Sequence, residues 1–151
     1  MLREQLNTSL KEAMKAKEAI TLSTLRLILA AIKDRDIEAR GSGNDEGIDD
    51  TQITALLQTM VKQRREAIKI ALEVKRQDIA QKEEKEIEVI QRFLPEPMSN
   101  TEIEQAIKDI VSETGASSIK EMGAVMAKLK ELYLGRMDFG QVSKKVRDAL
   151  S

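Results

Sequence analysis

An all-α protein is predicted from three observations. Apolar residues recur at helical spacing along nearly all of the 151-residue chain. No stretch keeps the period-two alternation of a half-buried strand. Ser or Asp residues followed three positions later by Glu or Gln mark repeated helix starts. Leu2, Leu6, Leu10 and Met14 form a first stripe. Leu22, Leu25, Leu29 and Ile32 form a second, on a helix expected to run to about Arg40. Gly41 to Asp50 holds three glycines and four acids and reads as a surface loop, too polar and too conformationally free for an element interior. Asp49 with Gln52 resembles a capping box opening a helix whose apolar face is Ile53, Leu57, Met60, Val61, Ile68 and Leu72. Asp78 with Gln81 repeats the signal for a helix carrying Ile87, Ile90 and Phe93. That helix stops at Pro95 and Pro97, since proline lacks a donor and restricts the residue before it.

The prolines place the domain boundary, giving an N-terminal helical bundle over 1–94 and a three-helix tail over 98–151. In the tail, Ser99 with Glu102 opens a helix carrying Ile103, Ile107, Ile110 and Val111, ending at Gly115 as a left-handed residue. Ser118 with Glu121 opens the next, with Met122, Val125, Met126, Leu129 and Leu132, and Gly135 interrupts it. Asp138 with Gln141 caps a last helix bearing Val142, Val146 and Leu150.

Composition removes most enzyme chemistry. The chain has no Cys and no His, which excludes disulfides, Cys/His zinc sites, thiolate nucleophiles and any imidazole triad. No P-loop, dinucleotide fingerprint or EF-hand pattern is present, and no cofactor is expected. Aromatics are Phe93, Tyr133 and Phe139 alone, too few for a base-stacking platform. The longest apolar run, Leu27 to Ile32, is far short of the ~20 residues that span a bilayer. The N-terminus lacks the apolar core of a secretory signal. The expectation is a cytoplasmic protein without a membrane partner.

Charge is balanced overall, at −1, and uneven locally. Residues 120–151 hold seven basic side chains against four acidic, and residues 53–77 hold six against two. Both are candidate anion-facing surfaces. A pI near 5.7 argues against a binder that relies on bulk charge, and DNA is not an expected partner.

The block SSIKEMGAVMAKLKELYLGRMDFGQVS (Ser117 to Ser143), with LSTLRLILAAIKDRDIEAR, KQRREAI and EIEVIQRFLP, closely resembles the stand-alone GatB/YqeY family over nearly the whole chain. That family is similar to the C-terminal helical and tail regions of the B subunit of the glutamine-dependent tRNA amidotransferase, whose tail touches the tRNA body. The shared elements fall on Gly123, Met126, Gly135, Arg136, Asp138 and Val142. The catalytic portion of that subunit, which binds ATP and activates the aminoacyl ester, has no counterpart in this sequence. The resemblance thus implies a module associated with tRNA or with a tRNA enzyme rather than a complete carbon–nitrogen ligase.

Each marked residue carries two readings. Gly123 interrupts a helical stripe at a cost of roughly 1 kcal/mol relative to alanine, explained by close helix packing or by an RNA backbone approaching. Met122 and Met126 read as adaptable core. Gly135 and Arg136 precede a helix N-terminus where backbone N–H groups attract an anion, but Asp138 occupies those donors, and Arg136 either pairs with it or meets phosphate. Ser117, Ser118 and Lys120 place two hydroxyls and a cation at a helix start read as free of a capping carboxylate; the competing reading is an ordinary capping box with Glu121. Arg26 and Arg65 fall on apolar stripes and are expected to form internal ion pairs with an acid such as Asp34 or Glu66. The run Lys82 to Glu86 reads as a solvated face.

The reading that results is a non-catalytic module binding structured tRNA, or an amidotransferase or aminoacyl-tRNA enzyme. Its expected phosphate contacts are Ser117, Ser118, Lys120, Gly123, Gly135, Arg136, Lys144 and Lys145, with no catalytic or metal residues. Two alternatives stand beside it: a component of a carbon–nitrogen ligase with glutamine as amido-N-donor, and a helical protein–protein adaptor.

Overall fold

A computed structural model describes residues 1–151. Its elements are α1 (Leu2–Ala16), α2 (Ala19–Gly41), α3 (Asp50–Glu73), α4 (Gln77–Gln91), α5 (Asn100–Thr114), a 3-10 turn (Ile119–Glu121), α6 (Met122–Tyr133) and α7 (Phe139–Leu150). There is no strand, and the fold is all-α. The chain divides into two units, Met1–Leu94 and Pro95–Ser151.

In the first unit α1 to α4 enclose an aliphatic core in which Leu6, Leu25, Ile28, Ile53, Leu57 and Ile90 are fully buried. The stripes expected from periodicity hold in their centres and fail at two edges. Met14 and Leu72 are exposed, and the small Ala13 and Ala71 beside them are buried instead. Asp49 caps α3 through the expected box: its carboxylate accepts the Gln52 N–H at 2.8 Å, and the Gln52 side-chain carbonyl accepts the Asp49 N–H at 3.1 Å.

Two arginines fix this bundle. The Arg3 guanidinium donates to both carboxylate oxygens of Asp36, at 2.8 and 2.6 Å, and to the Ile48 carbonyl at 2.8 Å. Asp36 also accepts the Ile48 N–H at 2.9 Å. The loop between α2 and α3 is therefore tied down where it reaches the core through buried Ile48. Gly47 has φ +87°, and a Cβ there would lie 2.5 Å from Asp36 Oδ1. Only glycine suits that position. The Arg3 hydrogen bond, outweighing the desolvation of the carboxyl and aided by the Ile48 N–H, holds Asp36 below the usual carboxylate range.

The second arginine is Arg64, whose Nε lies 3.0 Å from Glu86 Oε2 and 3.9 Å from Glu83. The Arg64 and Glu86 side chains are 13% and 9% exposed. This contact corrects two expectations. Arg26 and Arg65 are exposed and form no ion pair, because the buried side of α2 runs through Leu25, Ile28 and Ile32 and that of α3 through Met60, Val61 and position 64 rather than 65. The Lys82 to Glu86 run is not wholly solvated, since its last carboxylate is buried. A third correction concerns α4, which starts one residue before Asp78. Its N-cap is Arg76, with no side-chain cap. The Asp78 carboxylate is held by the Arg76 guanidinium at 3.1 Å from two nitrogens and so does not cap the helix.

In the second unit α5, α6 and α7 surround Ile103, Ile107, Ile110, Val125, Leu129, Val142, Val146 and Leu150. Ser99 and Glu102 form the expected capping box of α5, and Gly115 ends that helix at φ +70°. Asp138 caps α7 by accepting the Gly140 N–H at 3.0 Å.

Two stability tests follow from the arginine contacts. Glu86→Ala leaves the Arg64 charge buried without its partner and should destabilise the chain by about 3 kcal/mol in urea unfolding; Arg64→Met combined with Glu86→Leu should recover most of that loss. For Asp36, the folded carboxyl releases its proton at lower pH than the unfolded one. Its stabilising contribution is complete above the ordinary value of about 3.9 and fades as pH falls through the depressed folded value. Asp36→Asn should cost about 2 kcal/mol at pH 7 and flatten the acid limb of the unfolding midpoint against pH.

Candidate nucleic-acid interface on the tail unit

The expected phosphate residues divide into a structural group and an exposed group. Gly135 takes φ +82° just after α6 and is buried, so it is the left-handed residue that ends the helix. Arg136 follows it, and its N–H donates to the Tyr133 carbonyl at 3.0 Å. The guanidinium does not pair with Asp138. Its Nε donates to the Glu96 carbonyl at 2.9 Å, and one terminal nitrogen lies 3.9 Å from Glu102. The Arg136 carbonyl in turn accepts the Met98 N–H at 2.9 Å. Arg136 thus fastens the segment entering α5 to the α6–α7 turn. The Glu102 carboxyl is held below its usual range first by the Ser99 N–H and hydroxyl, with Arg136 adding a smaller effect.

The second expected phosphate site is also occupied from within. Ser118 is the N-cap residue of the 3-10 turn but makes no side-chain cap. Glu121 reaches back to Ser117, accepting its N–H at 3.2 Å and its hydroxyl at 3.5 Å. The carboxylate read as missing from this helix start is therefore present, one position out of the expected box. An anion at Ser117 and Ser118 would meet that charge at short range. Gly123 is exposed, and no heavy atom lies within 4 Å of where its Cβ would sit. Helix packing inside the tail does not account for it.

What remains open to solvent is a set of cations. Lys120 and Lys144 are exposed, Lys145 is half-buried, and none forms an ion pair. α7 buries Val142, Val146 and Leu150, and its opposite side presents Lys144 and Arg147. Arg147 was not among the expected contacts, although its spacing of three from Lys144 marks it as a neighbour on one face of a helix. With Glu121 and Asp138 filling the two helix starts, the chemistry available here is charge–charge contact with phosphate by flexible side chains, not an enclosed anion cradle.

Comparison with known proteins places the chain among relatives named "Altered inheritance of mitochondria protein 41, mitochondrial". The one from Candida glabrata is 37% identical over 98 residues, covering 64% of this chain and 52% of the relative. Those from Vanderwaltozyma polyspora and Lachancea thermotolerans are 29% identical over 123 residues and 31% identical over 115, covering 78% and 75% of this chain and 64% and 59% of the relatives. The chain spans between about half and two thirds of the length of these relatives. Their names overturn the cytoplasmic expectation. It rested on the lack of an apolar leader, a criterion that tests for secretion and is blind to the amphipathic, arginine-rich segments that address proteins to mitochondria. The Yqey-like protein family matches residues 3–150, all but the first two residues and the last, and the chain belongs to that family.

Proposed function

We propose that this chain is a non-catalytic tRNA-associated module whose tail unit contacts the phosphates of structured tRNA. The observation that carries the reading is the solvent face of α7, where Lys144 and Arg147 stand one turn apart without a carboxylate partner. Lys120 adds an exposed cation on the same unit, and residues 120–151 hold seven basic side chains against four acidic. The resemblance of this unit to the tail of an amidotransferase B subunit supports tRNA as the polyanion. Contacts of this kind read the shape and charge of the backbone and carry little base sequence information.

The internal roles found for Arg136 and Ser117 reduce the contact set to Lys120, Lys144, Lys145 and Arg147. With about three phosphates neutralised, a fourfold rise in salt should weaken tRNA binding by about tenfold to fiftyfold. Replacing Lys144 and Arg147 together with alanine should reduce the slope of log affinity against log salt by about two, with the circular dichroism spectrum unchanged. Association that ignores salt, or no tRNA binding at low salt, would reject this reading in favour of a protein adaptor.

The catalytic alternative is separately testable. The purified chain, given misacylated Glu-tRNA or Asp-tRNA with glutamine and ATP, is expected to yield no amide product by chromatography of the released amino acid. Turnover in a preparation free of amidotransferase subunits would establish chemistry in this chain.

A further inference from the structure

The distal half of the α3–α4 hairpin differs from the rest of its unit. No residue from 62 to 86 belongs to the apolar core of the bundle, and beyond Val61 the one buried residue of α3 is Ala71. This arm nevertheless carries Ile70, Leu72, Val74 and Ile79 at 61%, 53%, 63% and 39% exposure. With 3.6 residues per turn, Ile70 and Leu72 leave α3 on nearly opposite sides. A partner with a single flat face covers one of them and leaves the other in water. A medium that surrounds the tip covers both.

The charges of the arm favour an anionic medium. Residues 62–86 hold eight basic side chains and six acidic, in a chain whose net charge is −1. Arg64 and Arg76 are committed to Glu86 and Asp78. Lys62, Arg65, Lys69, Lys75, Lys82 and Lys85 are exposed and form no ion pair, against Glu66, Glu73 and Glu84 in the same state, so the unpaired charge of the arm is positive. Ile70 lies four residues before Val74, about 6 Å along the helix axis. That matches the depth of about 5–10 Å to which interfacial apolar faces enter a headgroup boundary. Lys69, five residues before Val74, then lies about 8 Å back along the axis at the level of headgroup phosphates, with its aliphatic stem able to run along the apolar zone, and Arg65 and Lys62 lie farther out in the aqueous layer over the anionic surface. No helix is long and apolar enough to cross a membrane, and the sequence expectation of no membrane partner rested on that span length. Crossing and surface docking are separate properties.

We infer that the tip of the α3–α4 arm docks on the surface of an anionic lipid bilayer, inserting Ile70, Leu72, Val74 and Ile79 among the headgroups. This does not depend on the tRNA reading, which rests on the other unit. The test is flotation of the full chain with vesicles of equal parts phosphatidylcholine and phosphatidylglycerol, against phosphatidylcholine alone. The chain should float with the anionic vesicles only. Ile70→Ser, Leu72→Ser and Val74→Ser together should lower the bound fraction at least about tenfold with helicity unchanged. Lys69→Glu with Lys75→Glu should lower it about as much. Leu27→Ser, at a site 48% exposed on α2, should have no effect. No flotation, equal flotation on neutral vesicles, or undiminished flotation of the triple variant would overturn the inference. So would a wild-type dimer in analytical centrifugation that the triple variant dissociates, which would make a second copy the occupant of the tip. A loss of tRNA affinity in the triple variant would likewise reassign the arm to RNA.

Discussion

Each unit has a small aliphatic core, and an arginine fixes how the chain returns over it. Units of this size bury only part of the surface their unfolded chains expose, and with no cysteine or histidine neither disulfides nor a zinc site can supplement the core. Directional bonds between distant segments are what select one closure. Arg3 joins α1 to α2 and to the loop before α3 through Asp36 and Ile48. Arg64 joins α3 to α4 through Glu86. Arg136 joins the α6–α7 turn to the segment entering α5. A planar guanidinium suits this task, since it can bond two or three acceptors at once and keeps its charge throughout the accessible pH range.

The same three contacts mark the limit of sequence reasoning. Helix order, the connection expected over 41–50 and found over 42–49, and the boxes at Asp49 and Ser99 were legible because each is decided within a few residues. Glu86 was not. In sequence it ends an alternating run that looks solvated, and its partner lies on another helix, 22 residues away. Arg64 was passed over for Arg65 because an apolar stripe wide enough to bury one helix side tolerates an error of one residue in phase. The boxes at Asp78 and Ser118 failed for a related reason: a neighbouring residue took the acid that each box needed. Arg76 took Asp78, and Glu121 took Ser117 in place of Ser118. Local grammar names the candidate partners, and tertiary competition chooses among them.

This competition also redraws the candidate interface. Sequence reasoning looked for anion sites at helix starts, where backbone donors converge. In the folded tail those donors meet carboxylates already present at Glu121 and Asp138, and the guanidinium of the half-exposed Arg136 is bonded to the Glu96 carbonyl. The exposed lysines and Arg147 survive because nothing in the fold requires them. A surface of that kind can attract a polyanion and set its approach.

The residues through which the chain resembles its family can be sorted by the same criterion. Val142 is core, Met126 packs against that core, Gly135 supplies a left-handed backbone, Arg136 ties the turn, and Asp138 caps α7. All five build a helix–turn–helix of defined shape. Gly123 is the exception, since it weakens α6 relative to alanine and a Cβ at that position would meet nothing beyond the backbone of its own helix. Most of the motif therefore specifies how the tail folds. The features that could distinguish one partner from another lie outside it, in the charged face of α7 and the apolar tip of the α3–α4 arm, where folding alone would accept many other side chains.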